Sequence, residues 1–121
     1  MNEKPIILIV EKMDFLANVM EEFLKEDFEC MRVDDGRQAC WTVPKADIAV
    51  ISSNVTSTRG FARGELVRQI KELKDLPVIA LTTTQTSSAR IELFNAGADD
   101  VMTKPFNPEE LKVRALRLLK K

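Results

Sequence analysis

The stretch "KADIAVISSNV", residues 45–55, is a short apolar run closed by hydroxyl and amide side chains. Its β-branched Ile48, Val50 and Ile51 and its lack of polar alternation predict a parallel strand over 47–52, covered on both faces. That strand leaves its sheet at Ser52-Ser53-Asn54. Two other runs share its character, "PIILIV" (5–10) and "PVIALT" (77–82). Two more strands are weaker: "FECMRV" (28–33), whose alternation suggests an edge, and "DDVMT" (99–103).

Helical patterns separate the five strands. "DFLANVMEEFLKED" (14–27) places Phe15, Val19 and Phe23 on one face, with Asp14 as the expected cap. "GRQACWTV" (36–43) is stopped by Pro44. "GELVRQIKEL" (64–73) is a third helix, and "SARIELFNA" (88–96) a fourth, ended by Gly97 in the left-handed conformation. "NPEELKVRALRLLKK" (107–121) is the clearest. Asn107 caps it, Pro108 takes the first position, Glu110 completes a box-like start, and acids precede bases as the helix dipole favours. Five strands alternating with five helices predict right-handed βαβ crossovers and a doubly wound α/β fold with one parallel sheet. Residues 1–121 read as one domain, with no repeat, linker or low-complexity segment.

In such a sheet the site lies beyond the carboxyl ends of the strands. Those ends are Glu11-Lys12, Ser52-Ser53-Asn54, Thr82-Thr83 and Lys104-Pro105. With no histidine in the chain, Ser-His and Cys-His catalysis, His-based metal sites and a histidine phosphodonor are all excluded. Cys30 and Cys40 lack metal-ligand spacing and read as reduced packing residues. A formal charge of −1 gives no overall pull toward nucleic acid or an anionic membrane. The basic positions Lys112, Arg114, Arg117, Lys120 and Lys121 therefore read as a solvated helix face. No apolar run approaches the roughly 20 residues of a membrane span, and "MNEKPIILIVEK" does not have the form of a signal peptide. The expectation is a cytoplasmic protein.

Residues "IILIVEK", "DIAVIS", "PVIALTT" and above all "GADDVMTKPF" resemble the receiver domain of two-component response regulators, over the whole chain. The resemblance implies a flavodoxin-like (βα)5 fold with strand order 2-1-3-4-5. It also implies a phosphorylation site made of an acidic pair holding Mg²⁺ after the first strand, an acceptor aspartate ending the third, Thr or Ser ending the fourth and Lys ending the fifth. Thr82 and Lys104 match that pattern, and Pro105 implies a cis peptide. Three positions depart from it. Glu11-Lys12 stands for the acidic pair, Ser52 for the acceptor, and Val101 for the aromatic that turns inward on phosphorylation. Asn54 falls where the family uses a backbone carbonyl as a metal ligand. The loop "SSNVTSTRGFAR" is a few residues longer than usual, with Thr56 in place of a proline.

Counted this way, the pocket offers one carboxylate, Glu11, against the ammoniums of Lys12 and Lys104. Its sum moves from about −2 to about +1, against the oxygen-rich anionic shell Mg²⁺ prefers. Each like-charge contact at ~4 Å costs on the order of 4 kcal/mol at an effective dielectric of ~20. Ser52 has no histidine base to make it a nucleophile. The expectation is a degenerate receiver: not an enzyme, without metal or cofactor, acting by protein contact independently of phosphorylation. The resemblance places that contact on the fourth helix, fifth strand and fifth helix, with Ala89, Glu92, Val101 and Lys112 as its residues. A second copy of the chain is among the candidate partners.

Several readings stay open. Lys12 either pairs with Glu11 in place of the metal or is a solvated lysine. Lys104 either bridges Glu11 or contacts a ligand. Trp41 points outward as an interface residue or is partly covered. A different class of function is a ligand-gated module, in which Lys12, Lys104, Thr82 and the Ser52-Ser53 hydroxyls hold a small anion or nucleotide-like molecule. The chain is either stand-alone or a piece of something longer.

Overall fold

A computed structural model describes residues 3–120. Its five strands are β1 (Ile6–Val10), β2 (Glu29–Val33), β3 (Ile48–Ser52), β4 (Val78–Thr82) and β5 (Asp100–Thr103). The helices are α1 (Asp14–Leu24), α2 (Gly36–Thr42), α3 (Glu65–Leu73), α4 (Ser87–Ala96) and α5 (Pro108–Leu119). A single 3-10 turn, Val43–Lys45, carries Pro44. All strands are parallel, in the order β2-β1-β3-β4-β5, as expected. The edge strand predicted at 28–33 is β2.

The apolar runs are continuous because both sheet faces are covered. On one face Leu8 and Val10 pack with Ala49 and Ile51 and with Leu66, Val67, Ile70 and Leu93 of α3 and α4. On the other, Ile7 and Ile9 pack with Ile48 and Val50 and with Met20, Leu24, Leu111 and Ala115 of α1 and α5. Successive strand residues thus feed opposite layers, as the pleat requires. Central β3 and β4 are buried at all five positions each.

Two helix termini behave as predicted. Gly97 closes α4 in the left-handed region at φ +118°. The Asn107 side chain accepts from the N–H groups of Glu109 and Glu110. The box-like start does not form, because the Glu110 carboxylate accepts from Arg114 instead. Lys121, predicted inside α5, lies outside the described residues.

Helix α1 departs from expectation in three ways. Met13 is its N-cap, so Asp14 is the first helical residue and its carboxylate takes the Arg32 guanidinium. The helix ends at Leu24, whose carbonyl accepts from both Asp27 and Phe28. Its buried face is Ala17, Met20 and Leu24, while Phe15 is 76% exposed and Phe23 also faces solvent. The 15/19/23 set is as periodic as 17/20/24, and pattern alone ranks the phenylalanines first. Small Ala17 wins because it allows the helix axis close to the sheet, where Met20 and Leu24 fill the layer.

Candidate functional site

Because the sheet is parallel, the carboxyl ends of β1, β3, β4 and β5 open on one side. Glu11 follows β1, Ser52 ends β3, Thr82 ends β4 and Lys104 follows β5. Glu11, Ser52 and Thr82 are buried polar residues, and such groups cost free energy unless hydrogen-bonded. Each finds partners. Glu11 Oε1 accepts from the Ser52 hydroxyl and from Lys104 Nζ at 2.9 Å. Its Oε2 accepts from the Met13 N–H at 3.1 Å and from Asn54 Nδ2 at 3.5 Å. Lys104, whose side chain is only 12% exposed, reaches from β5 over β4 and β3 to close this pair. Among the described residues, no buried side-chain polar atom lacks a partner.

Burial alone raises the Glu11 pKa. The Ser52 and Lys104 hydrogen bonds, the Met13 N–H and the Lys104 charge outweigh it and hold the carboxyl below its usual range. Glu11 is therefore an ionised carboxylate, and Lys104 has its counter-ion inside the protein.

Four of the six strand-end residues come together: Glu11, Ser52, Asn54 and Lys104. Thr82 joins through its backbone, its carbonyl accepting from the Lys104 N–H at 2.7 Å. Its hydroxyl accepts from the Thr84 N–H at 3.1 Å. Lys12 does not join, being exposed. Of the two readings of Lys12 it is the solvated one that the structure shows, because Lys104 and Ser52 already fill Oε1. The net positive pocket is thereby corrected. One carboxylate faces one ammonium, for a local sum near zero. The Lys104-Pro105 peptide is cis, as the resemblance implies.

The contact residues are corrected too. Ala89 and Val101 are buried and offer no surface. Glu92 is exposed but ion-paired with Arg63. Lys112 is half-buried, at 3.3 Å from Glu109 and 4.0 Å from Asp27. The exposed apolar side chains here are Ile91 and Phe94 on α4 and Val113 on α5, which the sequence reading missed. Once Ala89 and Leu93 are set as the inner face, the period of 3.6 turns Ile91 and Phe94 outward. Trp41 does point outward, 72% exposed, with the Arg37 guanidinium 5.7 Å over its ring. Cys30 and Cys40 are free half-buried thiols. Burial raises both, Cys30 to about 11, so neither is a thiolate at neutral pH.

The model of the response regulator receiver domain matches residues 7–116. The uncharacterized transcriptional regulatory protein YrkP of Bacillus subtilis is 30% identical over 95% of this chain and 49% of its own length. The transcriptional regulatory protein SrrA of Staphylococcus aureus is 29% identical over 95% and 48%. The chain thus spans about half the length of these curated relatives. A putative response regulator from Chloroflexus aurantiacus superposes with a TM-score of 0.86 at 29% identity, covering 98% of this chain and 100% of that one. The strand order, the site at the strand ends and a match running from β1 into α5 agree on one ancestry: this chain belongs to the response regulator receiver domain family.

Proposed function

We propose that this domain, over residues 1–121, is a pseudo-receiver: a signalling module that works by protein contact without Mg²⁺-dependent phosphorylation. One observation carries the reading. The Glu11 carboxylate occupies both the hydroxyl that stands in for the acceptor and the lysine that would meet a phosphoryl oxygen. A phosphoryl transfer to this site lacks an ionised acceptor at the end of β3, since Ser52 is a neutral hydroxyl that donates a hydrogen bond to Glu11.

The donor set does not fit a divalent cation. Mg²⁺ takes oxygen ligands, carboxylates prominent among them, in near-ideal octahedral geometry. Glu11 is the only carboxylate in this cluster, and its two oxygens already hold Ser52, Lys104, Met13 and Asn54. Among the described residues, no group of three His, Cys, Asp or Glu side chains is placed to hold a metal ion.

The contact surface we propose is α4, β5 and α5, presented by Ile91, Phe94 and Val113 with Glu92 and Lys112 at its charged margin. Its partner is a protein, a second copy included. It is neither nucleic acid nor membrane: Lys112 and Arg114 are engaged by acids, and among the described residues no helix is long and apolar enough to cross a bilayer. We place the domain in the cytoplasm, with no catalytic role. Val101, buried where the family carries its switch aromatic, leaves this surface without the usual rotating side chain.

The test is an amide NMR spectrum with Mg²⁺, then with Mg²⁺ and beryllofluoride. The expected result is no shift at Glu11, Ser52, Thr82 or Lys104. Shifts at these amides that spread to Val101 and α4 would overturn the reading.

A further inference from the structure

A cavity of about 370 Å³ opens beside the strand ends, between the β3–α3 loop (residues 53–64) and the residues after β4. Its floor is apolar and buried, with Ile51, Val67 and Leu93 in it. The hydroxyl residues Ser53, Thr56 and Thr83 stand exposed around it. Phe61 also lines it, and this ring is 90% exposed. The volume falls in the range of small-molecule sites, typically ≈ 300–1,000 Å³, and the lining is shared about evenly between apolar residues of the floor and hydroxyl and amide side chains of the loops.

The wall is built rather than loose. Ser57 Oγ donates to Gln69 Oε1 at 2.7 Å, and Gln69 Nε2 donates to Thr58 Oγ1 at 2.8 Å. Arg59 ties the loop to Glu65 and Glu72 of α3, and Arg63 ties it to Glu92 of α4. The start of α2 packs against the loop at Thr56. A Cβ on Gly36 would sit 2.4 Å from the Thr56 carbonyl oxygen, so only glycine fits against the loop. A large exposed aromatic on a loop held this firmly is an anchor without a partner.

The lining also fixes the class of occupant. Arg63 is its only charged residue, and its guanidinium is engaged by Glu92. Nothing there calls for an anion or a cation. We propose that this cavity binds a neutral ring-containing small molecule with a hydroxyl or carbonyl group, its ring stacked on Phe61 and its polar edge on the Ser53 and Thr83 hydroxyls. The cavity shares Ser52 and Asn54 with the strand-end site, but the contacts proposed for the ligand are Phe61, Ser53 and Thr83, none of which holds Glu11.

The test is an NMR titration with 2-naphthol, a neutral ring with one hydroxyl, and with 2-naphthoate, its anionic counterpart. Saturable amide shifts confined to residues 51–67, 80–84 and 93 are expected with 2-naphthol. Binding of 2-naphthoate is expected to be weaker. Phe61→Ala should weaken 2-naphthol about tenfold, the scale of one aromatic contact, with an unchanged urea midpoint because the ring is exposed. Absent or scattered shifts, equal binding by F61A, or tighter binding of 2-naphthoate would overturn the proposal. So would a wild-type dimer that F61A dissolves, since a second copy would then hold the ring.

Discussion

At the scale of single residues, Glu11 organises the site. It is fully buried, ionised and answered by Lys104. Glu11→Gln keeps a side chain of the same shape but leaves Lys104 largely buried without its counter-ion. Removing one partner of a buried pair costs about 3 kcal/mol, and urea unfolding at pH 7 should show a loss of that order. The pH dependence has a definite sign. A carboxyl whose folded pKa is depressed adds stability above its unfolded pKa and loses it as pH falls through the folded value. The gap between wild type and E11Q should therefore be full at pH 7, begin to shrink below the ordinary Glu pKa of about 4.3 and close as pH falls through the lower folded value, where Glu11 protonates. An unchanged gap in acid would mean that Glu11 acts through shape and not charge. That Glu11 and Lys104 share the carboxyl side of one parallel sheet is legible in the sequence, but their bridge stays one of two open readings there, because two strands, β3 and β4, lie between them. The solvent-facing orientation of Lys12 is not legible: adjacency to Glu11 in the chain says nothing about which way a loop residue turns once Met13 donates its N–H back to the Glu11 carboxylate.

At the scale of elements, the strands are legible and the helix faces are less so. A buried parallel strand announces itself by lacking any polar position, as 78–82 does. A short amphipathic helix offers two apolar stripes, and the choice between them is made by the sheet it must fit. In α1 the stripe holding Ala17, Met20 and Leu24 wins over the larger aromatics. Met20→Ala should then cost roughly 2–5 kcal/mol through the cavity it leaves, while Phe15→Ala should stay within about 0.5 kcal/mol of wild type. Chemical denaturation of both variants decides it, and the reverse order would restore the phenylalanine face. The β3–α3 loop gives a second test of element fit. Gly36→Ala forces α2 away from the Thr56 carbonyl, an overpacking expected to cost about 1–3 kcal/mol by denaturant unfolding. Spacing could not reveal this contact, since it joins a helix start to a loop twenty residues on.

At the scale of the whole molecule, the proposed loss of metal dependence rests on charge placement on an unaltered frame. The sheet order and both layers agree with the family, so any ion that bound the site would stabilise the entire domain by mass action. A site with Kd of about 1 mM would add about 1.4 kcal/mol at roughly 10 mM Mg²⁺, about 5 °C in Tm for a chain of this size. The wild-type Tm should instead stay within about 1 °C. Lys12→Asp alone should not change that, because Glu11 remains bound to Lys104 and Ser52 adds no negative charge. Lys12→Asp with Ser52→Asp places three carboxylates at the strand ends and should recover a Mg²⁺-dependent rise in Tm, at the cost of lower stability without the ion, since the new Asp at 52 would face Glu11 with like charge. A clear Mg²⁺ response from the wild type or from K12D alone would mean that the Glu11–Lys104 pair opens readily. The bridge would then be one position of a switch and not the lock that the geometry supports.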